Sequence, residues 1–131
     1  MRKSLLMLFL LALLLILSNG ISTCEEVDLT GTWVGETEVP DSPEPDKLTL
    51  VLEKVEGKYA GTISDELGFA DEAEIEDVEF KDNELTFSFT IFDGTDYQQV
   101  HCSMTVEGNK MSGYWELDDG TSSSVELTKV E

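Results

Sequence analysis

Glu84-Leu85-Thr86-Phe87-Ser88-Phe89-Thr90-Ile91-Phe92, the turn Asp93-Gly94-Thr95-Asp96, and Tyr97-Gln98-Gln99-Val100-His101-Cys102-Ser103-Met104-Thr105-Val106 decide the fold of this chain. Leu85, Phe87, Phe89 and Ile91 alternate with Thr and Ser. Past the turn, Val100, Cys102, Met104 and Val106 alternate with His101, Ser103 and Thr105. Successive side chains of a strand point to opposite faces, so a period of two builds one apolar and one polar face. The Asp-Gly pair between the two runs supplies hairpin chemistry.

The same pattern extends in both directions. It gives eight strands, roughly Leu29 to Glu38, Lys47 to Val55, Lys58 to Ser64, Glu74 to Phe80, Glu84 to Phe92, Asp96 to Val106, Lys110 to Leu117 and Ser122 to Val130. Further tight turns fall at Glu56-Gly57, Asp82-Asn83, Gly108-Asn109 and Asp119-Gly120. Two connections are longer: Pro40 to Asp46 holds all three prolines, and Asp65 to Ala73 is acidic. Ile75 is out of phase with Val78 and Phe80, which predicts a bulge near Glu76-Asp77. Val55 to Ile63 and Val106 to Trp115 form a weak internal repeat, each a turn followed by a strand with an interior glycine. Half-buried strands with short connections predict an eight-stranded antiparallel up-and-down barrel, since closure removes exposed edges. The alternative is a two-sheet sandwich, which needs long crossovers.

The chain before this domain has a different character. Arg2 and Lys3 precede 13 consecutive apolar residues, Leu5 to Leu17, and Ser18-Asn19-Gly20 end the run. That reads as a secretory signal peptide over residues 1–20, too short for a permanent membrane span. Residues 21–28 form an N-terminal segment and residues 29–131 the single barrel domain. No other apolar run is present, so no transmembrane helix is expected after signal cleavage. Localisation follows as exported: secreted, periplasmic or bound to the cell envelope. Ile21-Ser22-Thr23-Cys24 resembles a bacterial lipobox, which makes Cys24 a candidate for lipidation. The competing reading is a Cys24–Cys102 disulfide in an oxidising compartment. A third option keeps Cys102 as a buried core thiol.

Charge removes several function classes. Residues 21–131 carry all 28 Asp and Glu against six lysines and no arginine, a net charge of −22. A nucleic-acid binder needs a basic face to displace counterions from phosphates, and anionic lipid headgroups repel such a surface. The carboxylates are so numerous that no catalytic pair stands out. Asp93 and Asp96 are weak Ca²⁺ candidates, without an Asp-x-Asp-x-Asp-Gly loop behind them. His101 is the only histidine and falls on the polar face, where a surface role outweighs pairing with Ser103 or an Asp. No metal-ligand pair, phosphate loop, dinucleotide fingerprint or nucleophile elbow is present. The reading is a non-catalytic protein without a cofactor.

Leu29-Thr30-Gly31-Thr32-Trp33 opens the first strand and Lys58-Tyr59-Ala60-Gly61-Thr62 the third. This resembles the calycin group of barrels (lipocalins, fatty-acid-binding proteins and avidins) and small secreted bacterial lipocalin-like domains. In that group a Gly-x-Trp on the first strand packs its indole across one barrel end. Val34, Gly35 and Glu36 follow here, so the polar set that holds biotin in avidins is absent. The resemblance implies a barrel scaffold, with function in a site grafted on it.

The inward phase collects Trp33, Tyr59, Phe87, Phe89, Met104 and Trp115, the candidate ligand-binding residues of a barrel interior. Enough apolar volume points inward that a filled core is favoured over a cavity. The functional expectation is binding of a small hydrophobic ligand or of a protein partner. Alternatives are an envelope lipoprotein adaptor anchored at Cys24, and an acidic inhibitor-like protein acting on a secreted enzyme.

Overall fold

The computed structural model describes residues 27–131. The signal segment and Cys24 lie outside the described residues. Nine strands form one antiparallel sheet: β1 (Gly31–Thr37), β2 (Asp46–Val55), β3 (Lys58–Asp65), β4 (Ala73–Glu74), β5 (Glu76–Lys81), β6 (Glu84–Phe92), β7 (Tyr97–Glu107), β8 (Lys110–Leu117) and β9 (Ser122–Lys129). The spatial order is β4-β3-β2-β1-β9-β8-β7-β6-β5. Every strand therefore lies beside its sequence neighbours except at the β4–β5 step, which joins the two edges of the sheet, and β1 pairs with β9, for example Gly35 with Leu127. This is an up-and-down meander rolled into a nearly closed barrel, with no helix among the described residues.

The count is nine where the alternation predicts eight, because the run from Glu74 to Phe80 breaks in two. β4 pairs with β3 (Ile63 with Ala73) and β5 pairs with β6 on the other side. Between Glu76 and Glu79 the register of β5 gains one residue over β6, and Asp77 takes a left-handed φ of 52°. The predicted bulge is thus where the chain bends from one edge of the sheet to the other. Near the bend the barrel closes through the Ile75 N–H, which donates to the Gly61 carbonyl at 3.1 Å. Below it β3 and β5 diverge, and Tyr59 and Phe80 meet edge to face across the gap, centroids 6.1 Å apart.

The core follows the period-two phase. Leu29, Trp33, Leu50, Leu52, Leu85, Met104, Met111 and Leu127 are fully buried. Leu48, Val78, Phe80, Ile91, Trp115 and Leu117 pack against them partly exposed. The two interior glycines of the sequence repeat share one role. A Cβ on Gly61 would lie 1.8 Å from the Val51 carbonyl oxygen, and one on Gly113 1.8 Å from that of Ser103. Strands coil so tightly there that the neighbouring backbone occupies the side-chain position.

The turns sort to two ends. Glu56-Gly57, Asp82-Asn83 and Gly108-Asn109 lie at one end with the start of β1 and the end of β9. The 38–45, 66–72, 93–96 and 118–121 connections lie at the other.

Candidate functional site

At the first end the bore is closed by side chains. Trp33 is wholly buried, and its indole N–H donates to the Leu29 carbonyl at 2.9 Å. The Tyr59 hydroxyl accepts the Leu29 N–H at 3.0 Å and donates to the Val27 carbonyl at 3.3 Å. The segment before β1 is thereby strapped over the barrel end. A groove of about 620 Å³ runs along the gap between β3 and β5, with Lys54, Lys58 and Lys81 beside Glu79 and Asp82 and with Tyr59, Val78 and Phe80 from the margin of the core.

The other end is open. A cavity of about 400 Å³ reaches from the loops down to Met104 and Leu127, with walls from Phe87, Phe89, Ile91, Val100 and Leu117. That size lies within the usual range for small-molecule sites. The volume argument from sequence favoured a filled interior; the structure overturns it. Trp33, Leu29, Leu52, Leu85 and Met111 are wholly buried away from the cavity, while Phe87, Phe89 and Trp115 stand in its walls and the 38–45 and 66–72 loops raise those walls through Val39, Pro40 and Phe69. An eight-stranded circumference then leaves room for a small ligand.

Of the six candidate ligand residues, Phe87, Phe89, Met104 and Trp115 line this cavity together. Trp33 and Tyr59 sit in the opposite, closed end. Cys102 also lines the cavity, its thiol pushed up to about 12 by burial and held in the inert neutral form.

Two polar groups in the cavity wall, Thr37 and Asp46, escaped the sequence reading. The Thr37 hydroxyl donates to the Ser124 carbonyl and accepts the Trp115 indole N–H, each at 2.7 Å. Asp46, at 3 % exposure, is the most buried carboxylate among the described residues, and its Oδ1 accepts the Leu67 N–H at 3.0 Å. Its neighbour Asp65 accepts the Ala70 N–H on Oδ1, and Asp65 Oδ2 is buried with no hydrogen-bond partner among the described residues. Burial, with the Asp65 carboxyl beside it, pushes Asp46 up to about 7. These two acids hold the root of the 66–72 loop, and the Phe92 N–H to Phe69 carbonyl bond holds its middle. The signal for Asp46 was its phase with Leu48 and Leu50; starting the strand at Lys47 hid it.

Asp93 organises its own turn. It accepts N–H groups from Thr95 and Asp96 and the Gln98 side-chain amide. The Asp96 and Thr95 backbone bonds, then Gln98, hold its carboxyl below the ordinary range. No group of three or more metal-ligating side chains occurs among the described residues, Asp93 and Asp96 included.

On the outer face a Ser–His–Asp chain forms. Ser88 Oγ lies 3.0 Å from His101 Nδ1, and His101 Nε2 lies 3.1 Å from Asp118 Oδ1. Ser103, the serine considered from sequence, donates to Glu84 instead. The chain is poorly built for acyl transfer. β6 is paired on both sides, which commits its N–H groups to the ladders, and Asp118 is largely in water.

Compared with known protein families, curated proteins and solved structures, the chain gives no match.

Proposed function

We propose that this protein is an exported, non-catalytic carrier of calycin-like type that holds a small hydrophobic molecule in the open end of its barrel. The observation behind the reading is the apolar cavity of about 400 Å³, set on a scaffold whose opposite end is sealed. Burying an apolar ligand against such walls is favourable by about 25 cal/mol per Å² removed from water, less the cost of association. The test is titration with an uncharged apolar fluorophore, N-phenyl-1-naphthylamine. The expected result is saturable one-to-one binding that Ile91→Trp, which fills the wall, weakens at least tenfold while the far-UV circular dichroism stays unchanged. Binding that does not saturate, or that Ile91→Trp leaves intact, sinks the reading.

One observation favours an envelope-anchored form of this carrier. Cys102 is buried inside the barrel wall facing the cavity, whereas the chain enters at the closed end. That placement supports a lipidated Cys24 over a Cys24–Cys102 disulfide. The denatured mass of the exported protein separates them, by acyl mass or by the loss of two hydrogens.

A further inference from the structure

The two ends of the barrel differ in charge as well as in packing. Five of the six lysines of the barrel domain (Lys54, Lys58, Lys81, Lys110 and Lys129) belong to strand ends at the sealed end. The four connections around the open mouth carry Glu38, Asp41 and Glu44; Glu66, Asp71 and Glu72; Asp93 and Asp96; and Asp118 and Asp119. They contain no Lys, Arg or His. The sixth lysine, Lys47, is on the outer surface opposite Glu36. An acidic rim alone is ordinary solvated surface. This one encircles an apolar cavity, and its carboxylates continue into the wall as Asp46, only 3 % exposed. Behind Asp46 stands the partnerless buried oxygen of Asp65.

We propose that the molecule held in this cavity is a small apolar amine, its hydrocarbon body among Phe87, Phe89, Ile91, Leu117 and Met104 and its ammonium against Asp46 at the mouth. This rests on the cavity being the binding site, as proposed above. A carboxylate headgroup would meet like charge on every side of the rim, with no cation to receive it. An alkylammonium brings three donors to a wall that offers acceptors, the buried Asp46 carboxylate first among them. The groups facing Asp46 are Thr37 on β1, Asp65 and Glu66 at the end of β3, and Asp41 and Asp93 across the cavity. None of them is cationic, so the site gains attraction for an ammonium as Asp46 ionises.

The experiment compares decylamine, decanol and decanoate by calorimetric titration of the exported protein, below their micelle concentrations and in 0.3 M NaCl to screen surface adsorption. At pH 8 decylamine is expected to bind one to one, to compete with decanol, and to bind at least tenfold tighter than it, with decanoate weakest. The advantage over decanol shrinks at pH 5.5, where the amine is still charged (ordinary pKa about 10.4 for such a group) and Asp46 is not. Asp46→Asn brings decylamine to the level of decanol and leaves decanol unchanged; should that variant fail to fold, the pH profile of the unaltered protein decides. Decanol binding as tightly as decylamine at pH 8, or amine binding that decanol does not displace, overturns the amine assignment alone. If none of the three binds, the carrier reading falls with it.

Discussion

The sealed end and the open end are made from the same strands, yet they solve opposite problems. At the sealed end an indole, a phenol and the segment before β1 cross the bore, and their polar atoms are paired. At the open end the apolar side chains line the walls without meeting in the middle, and the polar atoms include a crowded pair of acids. Stability is therefore concentrated where Trp33 sits, and the other half can hold a cavity because it is not asked to hold the barrel together. The difference follows from how the side chains meet: those around Trp33 are wholly buried against one another, while those around Trp115 line a gap.

Truncation separates the two ends most sharply. Trp33→Ala removes a wholly buried indole and its hydrogen bond, and is expected to cost ~3–5 kcal/mol in urea unfolding. Trp115→Ala removes a half-buried indole from a wall already facing free volume, and should cost about half as much. Equal costs would erase the division of labour. The next effect is in pH. Asp46 holds its proton more tightly folded than unfolded, with a folded value of about 7 against an ordinary 3.8. Its contribution to stability is thus complete below about pH 4, declines as pH rises, and is gone above about 7. Asp46→Asn should flatten that slope and melt higher than the parent at pH 8 but not at pH 4.5, a difference on the order of 1 kcal/mol. Parallel melting curves would show that the open end stores no such strain. Smallest is the response to salt. Raising NaCl from 10 to 300 mM should lift Tm by ~3 °C by screening acid–acid repulsion. Glu66→Lys, at the mouth, should reduce that gain more than Glu107→Lys, among the lysines of the sealed end. A Tm that is flat or falling with salt would remove repulsion from the account.

The barrel was legible because alternation survives in every strand: the residues in phase with Trp33, Leu50, Phe87 and Met104 are the ones the structure buries. Even the bend at Glu76 to Glu79 could be read, since Ile75 breaks phase with Val78. The cavity was not legible, because summed side-chain volume says nothing about where along the bore it accumulates. Asp46 was hidden because it was placed at the end of the proline-bearing connection, although its phase with Leu48 and Leu50 was inward. The Ser88, His101 and Asp118 chain depends on the register of β6 on β7 and on the position of the β8–β9 turn, which period alone does not fix. Ser88 is only 7 % exposed although it shares the outer phase of Thr86.

The pairing of β1 with β9 has a kinetic consequence. Trp33 sits opposite Lys129, and Val34 opposite Thr128, so the seam joining the first strand to the last spans almost the whole domain. Hairpins such as β6–β7 can form as soon as they emerge, but the ring they belong to cannot shut until β9 is available. Contacts of such long sequence separation carry their loop-closure entropy into the transition state, and domains dominated by them fold in milliseconds to seconds rather than microseconds. Until then β1 is an open edge, and Trp33 on it is a large apolar surface that a chaperone or a neighbouring chain would meet.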